Sequence, residues 1–65
     1  MTTTTERVRA GVYLIIDENG YIIANVIKHD GLAHPWLIHY VGGTPGGATP
    51  TLKAAVQRIN ERREG

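Results

Sequence analysis

The 65-residue chain carries a net charge of +1 and contains no cysteine. A chain of this length forms one small domain that buries only about 60% of its unfolded surface, so its stability is marginal. The lack of cysteine excludes disulfides and thiolate metal sites. The near-neutral charge gives no electrostatic reason to expect a nucleic acid or a membrane as the partner.

The first residues are polar and rich in threonine, and we expect residues 1–8 to form a flexible N-terminal arm. They contain no basic segment followed by an apolar core, so no secretory signal is predicted and a cytoplasmic location is expected. No apolar run approaches the roughly 20 residues that a membrane-spanning helix needs, so no membrane partner is predicted.

Three runs of β-branched and aromatic residues predict three β-strands, separated by the turn signals Asn19-Gly20 and Asp30-Gly31. A two-residue type I′ turn at Asn19-Gly20 would place Leu14 opposite Asn25 on the next strand. An even-length loop around Asp30-Gly31 would then place Trp36, and with it Ile38 and Tyr40, on the same sheet face as Leu14.

The glycine-rich residues 42–48 predict a flexible connector between the last strand and a helix. Such a connector would permit the helix to exchange between copies, although we expect it to pack on its own sheet. Thr49 is expected to cap the helix, with Pro50 as its first residue. The predicted fold is α+β, a three-stranded antiparallel β-meander followed by one C-terminal α-helix (β-β-β-α). Its predicted bounds are a single domain at residues 9–65, strands at 9–17, 21–29 and 35–41, and a helix at 50–63.

Both faces of the predicted sheet are apolar, whereas an antiparallel sheet with one wet face alternates apolar and polar residues. A helix of about 14 residues is about 21 Å long and cannot cover both faces. An uncovered apolar face marks an interaction site, so we expect a homodimer or a protein partner. If the face with Trp36 is the core, the face left for the partner contains Tyr13, Ile15, Ile22, Ala24, Val26 and Leu37.

No catalytic or cofactor site is predicted, and the protein is not expected to be an enzyme. Serine and cysteine, the commonest nucleophiles, are both absent. His29, Asp30 and His34 surround the second turn, but their spacing matches no strong metal-binding pattern, so no metal site is predicted. The glycine-rich segment lacks the Gly-Lys-Ser/Thr ending of a phosphate-binding loop.

Nucleic-acid binding is the alternative function that the sequence leaves open. Basic side chains near the sheet edge and along the helix would contact phosphates, and a dimer would double the number of contacts. The candidate residues are Arg7, Arg9, Lys28, Arg58, Arg62 and Arg63.

Two families share this order of elements. The strand at Tyr13, the acidic turn at residues 17–20, and Gly47-Ala48-Thr49 before an Ala-rich helix resemble the N-terminal domain of HicB-type antitoxins. The family's Pro-Gly segment after strand two is replaced here by residues 28–31. The resemblance implies a non-catalytic, self-associating protein that binds a protein partner.

The β-β-β-α order also resembles the arm-binding domains of lambda-type integrases and the AP2-like domains, which lay a sheet in a DNA groove. That resemblance implies DNA binding through the sheet face opposite the helix. In those families this face is basic and polar, whereas here it would carry isoleucine, valine, leucine and aromatic side chains.

Overall fold

The computed structural model describes residues 3–64, with the side chains of residues 3–63. One antiparallel sheet of five strands, in the order β1-β2-β3-β4-β5, is followed by one helix. The elements are β1 (Thr4–Arg9), β2 (Val12–Ile16), β3 (Ile22–Lys28), β4 (Trp36–Tyr40), β5 (Pro45–Thr49) and α1 (Leu52–Glu64). The α+β class and the antiparallel sheet are confirmed, but the prediction of three strands is wrong. No helix in the described part of the chain is long and apolar enough to span a membrane.

The first additional strand, β1, lies in the segment that was expected to be a flexible arm. It pairs with β2 from Thr4↔Ile16 to Arg9↔Val12, through a turn in which Gly11 has a φ of 78°. All six residues of β1 are exposed, because the strand is at the sheet edge and the helix does not lie over it. Hydrophobic patterning therefore gave no sign of it.

The second additional strand, β5, replaces the expected glycine-rich connector and forms the opposite edge of the sheet. Gly46 suits this position because a Cβ there would lie 2.6 Å from Cε2 of Tyr40 and would also collide with the side chain of Ile38. Glycine in this strand therefore allows close packing against β4, whereas the sequence alone suggested flexibility.

The β2–β3 hairpin differs from the predicted type I′ turn, which requires positive φ at two successive residues. Only Gly20 has a positive φ, 88°, and the N–H of Gly20 donates to the carbonyl of Asp17 at 3.0 Å. The Asp17 carboxylate accepts from the backbone N–H of Asn19 and of Tyr21, each at 2.9 Å. A bulge between Ile15 and Ile16 then restores the predicted pairing of Leu14 with Asn25.

The β3–β4 connection has an odd number of residues, so the predicted face of β4 is wrong. Lys28 pairs with Trp36, which leaves residues 29–35 as the loop, closed by a 2.7 Å hydrogen bond from the N–H of His29 to the carbonyl of Pro35. Ile38 therefore lies beside Val26 and not on the face of Leu14. One residue of loop length inverts which side chains of β4 meet the core.

The helix packs over β3, β4 and β5 on one sheet face only. Its apolar stripe includes Ala55 and Ile59 and meets a fully buried cluster on the sheet. The helix begins later than expected, because Thr51 and not Thr49 is its cap: Oγ1 of Thr51 accepts from the N–H of Ala54 at 3.1 Å. The sheet side of the cluster consists of Ile15, Ala24, Val26 and Ile38.

Candidate functional site

The sheet face opposite the helix is the candidate site, and we call it the helix-free face. Successive side chains of a strand point to opposite faces of the sheet. The residues on the helix-free face are therefore those next in the chain to the residues that point into the core. Within residues 3–64 no element covers it, and its apolar side chains are only partly buried by one another. The helix-free face consists of Val12, Leu14, Ile16, Asn25, Ile27, Leu37, His39 and Ala48.

The dimensions of the helix-free face suit a protein surface better than a small molecule. Five strands spaced about 4.8 Å apart span about 24 Å, and five residues along a strand span about 17 Å. The face has a projected area of about 400 Å², of which the apolar side chains on β2, β3 and β4 form the larger part, and apolar patches of a few hundred Å² on soluble monomers are often functional. A surface built of aliphatic strand side chains is suited chemically to packing against another apolar surface.

Asn25 is the polar residue at the centre of this face, and His39 lies beside it on β4. It is the middle residue of β3, and β3 is the middle strand of the sheet. Successive cross-strand pairs form a row that runs Glu6, Leu14, Asn25, His39 and Pro45 across all five strands. Oδ1 of Asn25 is buried and accepts no hydrogen bond from any residue that the structure describes. Unsatisfied buried oxygens are rare in folded proteins and call for an explanation.

The six residues predicted to contact a partner do not share one exposed face. Ile15, Ala24 and Val26 have no exposed surface, because the helix covers the face that was expected to be free. Tyr13 lies on that same covered face and packs against Trp36 in a tilted arrangement, with ring centroids 5.7 Å apart. Leu37 lies on the helix-free face, and Ile22 is 47% exposed beside the bulge. The expected assignment of core face and free face is therefore reversed for β2 and β3, whereas in β4 Ile38 lies in the core and Leu37 on the free face as expected.

Four of the six basic residues considered for phosphate contacts already have intramolecular partners. Arg58 donates to the carbonyls of Gly46 and Ala48, both at 3.4 Å. The guanidinium of Arg62 lies 4.3 Å from the ring centroid of Tyr40.

Arg63 forms an ion pair with Glu18 at 2.9 Å. Nζ of Lys28 lies 5.8 Å from the ring centroid of Trp36 and 3.9 Å from the carboxylate of Asp30. Arg7 and Arg9 are exposed on β1. Nucleic-acid binding therefore stays a prediction, with its candidate side chains dispersed over the molecule.

The histidines and carboxylates around the second turn are exposed in the loop at residues 29–35. Among residues 3–64, no three histidine, aspartate or glutamate side chains come close enough together to hold a metal ion. His29, Asp30 and His34 therefore do not form a three-residue metal-binding group in the structure.

An open groove of about 740 Å³ lies between the helix and β1. Sequence reasoning missed it, because it exists only where the helix leaves the β1 side of the sheet uncovered. A 3.1 Å hydrogen bond from Oγ1 of Thr3 to Oδ1 of Asn60 connects the two elements beside it. Its lining is mostly polar side chains around two apolar ones: Thr5, Leu52, Lys53, Val56, Gln57, Asn60 and Glu61.

Comparison with protein-family models, with curated proteins and with solved structures finds no match for this chain.

Proposed function

We propose that this protein is a small, non-catalytic, self-associating interaction module, in which the helix-free face packs against the same face of a second copy. The observation that carries the proposal is the uncovered apolar surface of the sheet. Val12, Leu14, Ile27 and Leu37 face away from the helix, although a chain of 65 residues has few apolar side chains to leave outside its core. Burying such a patch is the main favourable term in protein association.

A second copy is the occupant that fits the size of the face. Two sheets pack face to face about 10 Å apart, with side chains of both inner faces interdigitating. Two projected faces of about 400 Å² each amount to about 800 Å², which is below the roughly 1,200–2,000 Å² of stable specific complexes and in the range of weak, transient ones. We therefore expect a reversible dimer whose population depends on protein concentration.

Sedimentation equilibrium tests this proposal directly. Between about 1 μM and about 1 mM, which spans association free energies of about −8 to −4 kcal/mol, the average mass should rise from 7.1 kDa towards twice that value. Leu37→Lys places a charge in the middle of the helix-free face and should keep the protein monomeric. Leu32→Lys is the matched control, because Leu32 is 52% exposed in the β3–β4 loop and the two variants have identical composition.

Circular dichroism establishes that both variants are folded, since a lysine on an uncovered strand can extend its ammonium into water. A wild-type protein that stays at 7.1 kDa throughout this range refutes self-association. An equal loss of dimer in Leu32→Lys and Leu37→Lys would show that the helix-free face is not the contact surface.

A further inference from the structure

The unsatisfied Oδ1 of Asn25 and its central position point to a specific role in the dimer. We propose that Asn25 pairs with Asn25 of a second copy across the two-fold axis, and that this pair fixes the register in which the two sheets meet. The inference rests on the proposed function and adds the residue that determines how the copies align.

The position of the two-fold axis follows from the shape of the face. When two copies bury the same face, their two-fold axis lies in the plane between the two sheets. The arrangement with the greatest overlap has this axis passing across the centre of the sheet. Asn25 is that centre, as the fourth of seven residues in the third of five strands. Each copy therefore brings its Asn25 to the same place.

The carboxamide is chemically self-complementary. It carries one acceptor oxygen and an NH₂ group with two donors, so two carboxamides related by a two-fold axis can each donate to the other's oxygen. Oδ1 is covered by its own chain and has no partner among the described residues, although the Asn25 side chain as a whole is partly exposed. The pairing therefore requires the carboxamide to rotate about χ2, a broad and soft torsion, which would turn the oxygen towards the second copy and give it a donor. An apolar partner surface would leave the Asn25 carboxamide unpaired, whereas a second copy supplies the matching group by symmetry.

The charges at the edge of the face favour one direction for the axis. An axis along the row from Glu6 to Pro45 would bring Glu6 against Glu6 of the second copy, and like charges repel. An axis along β3 instead brings Glu6 of one copy towards Pro45 of the other copy, at the opposite end of the row. We infer that the axis follows β3 and that Ile27, two residues along the strand, lies beside its own copy.

The pair would act on specificity more than on affinity. If one sheet slides sideways by a single strand, its Asn25 meets Leu14 or His39 of the second copy. If it slides by two residues along β3, its Asn25 meets Ile27 of the second copy. The slide onto Leu14 and the slide onto Ile27 each leave the amide facing an apolar side chain. A single buried asparagine selects register in coiled coils by the same physical mechanism.

Two substitutions of Asn25 test the pair. Asn25→Asp puts two carboxylates against each other and should weaken dimerisation at pH 7 on the order of tenfold or more. Asn19→Asp is the matched control, because it makes the same change of charge in the exposed β2–β3 turn and should dimerise as the wild type does. Asn25→Val removes the polar pair while keeping a residue suited to a strand, so dimers should form at least as tightly but in more than one register.

Register is read from spin labels, since the chain has no native cysteine. A nitroxide on Leu32→Cys, in the exposed β3–β4 loop, should give one narrow inter-copy distance in the otherwise wild-type dimer and a broad or multiple distribution in the Asn25→Val background. If Asn25→Asp does not fold, the distance distribution decides alone.

The outcomes separate the two proposals. A wild type that never dimerises removes the proposed function, and this inference with it. A wild-type dimer that Leu37→Lys dissociates, but whose single distance survives Asn25→Val, overturns the Asn25 pair and leaves the proposed function standing. A single distance in the wild type that broadens only when Asn25 is replaced supports the pair.

Discussion

Arg63 donates from Nη2 to both carboxylate oxygens of Glu18, at 2.9 and 3.1 Å, and so connects the end of the helix to the turn of the β2–β3 hairpin. The two residues are 45 positions apart in the chain. The helix begins at the end of the sheet opposite this turn. The contact therefore restrains the C-terminal part of the helix. Hydrogen bonds in which donor and acceptor are both charged are shorter and stronger than those between neutral groups.

Glu18→Gln should loosen the last turns of the helix and the hairpin turn while leaving the fold intact. The substitution removes the charge but keeps the shape of the side chain, and the melting temperature should fall only slightly, because the pair is partly solvated. Hydrogen exchange should quicken at amides near Arg63 and Gly20. Glu61→Gln, on the exposed side of the same helix, is the control. Equal exchange in the two variants would show that the contact contributes nothing to local order.

The stability gained from Glu18 should depend on pH in a defined direction. The hydrogen bond from Arg63 holds the pKa of Glu18 below its usual value of 4.5. A carboxyl with a lowered folded-state pKa stabilises the fold fully above its unfolded-state pKa and loses that contribution as the pH falls through the folded-state value. The melting temperatures of wild type and Glu18→Gln should therefore differ by a constant amount from pH 6 to 8, and the difference should shrink below about pH 4.3. A difference that grows on acidification would contradict this assignment.

The sequence predicted the pairing of β2 with β3 but not the means by which it arises. The turn at Gly20 shifts the register by one residue from a type I′ hairpin, and the bulge between Ile15 and Ile16 shifts it back. Leu14 thus faces Asn25 as expected. Hydrophobic patterning specifies which residues share a face, while turn type depends on hydrogen bonds such as those accepted by Asp17, which patterning does not reveal.

The candidate site could be recognised from the sequence only in part. Two apolar faces were evident, and so was the position of Asn25 opposite Leu14 on one of them. Which face the helix covers depended on the odd length of the loop before Trp36 and on the strand that contains Gly46, and neither is encoded in hydrophobic periodicity. The residues of β2 and β3 expected in the core, such as Leu14, are therefore left outside, whereas Ile38 of β4 is in the core as expected.

Gly46→Ala should destabilise the domain although it adds only one methyl group. The new Cβ would lie 2.6 Å from Cε2 of Tyr40 and against Ile38, so side chains under the helix must shift, at about 1–3 kcal/mol. Gly43→Ala is the control, since its Cβ meets open space and its cost comes from a φ of 90° alone. Urea denaturation of both variants separates packing from backbone strain. If Gly43→Ala costs more than Gly46→Ala, then close packing of β5 is not what requires the glycine.

Thr51→Ala should lower the free energy of unfolding by about 1 kcal/mol, the usual effect of losing a helix cap. The hydroxyl of Thr51 satisfies the N–H of Ala54, which has no carbonyl partner within the helix. Thr44→Ala, at an exposed position between β4 and β5, should change stability far less. Thr51→Ser should retain most of the wild-type stability, because serine also caps well. A Thr51→Ser variant as unstable as Thr51→Ala would assign the effect to the methyl group and not to the cap.

Ile59→Ala should be the most damaging of these substitutions. Ile59 has no exposed surface and joins the helix to Ile15, Val26 and Ile38 in the core. Truncating a buried isoleucine costs about 2–5 kcal/mol, which is comparable to the total stability of about 3–10 kcal/mol expected for a domain of this size. Ile22→Ala, at a position that is 47% exposed, makes the same chemical change and should cost much less. Thermal unfolding followed by circular dichroism should show Ile59→Ala partly or fully unfolded at 37 °C and Ile22→Ala folded. If the two variants melt together, the helix does not pack on the sheet through Ile59, and the face opposite Leu37 is not the core.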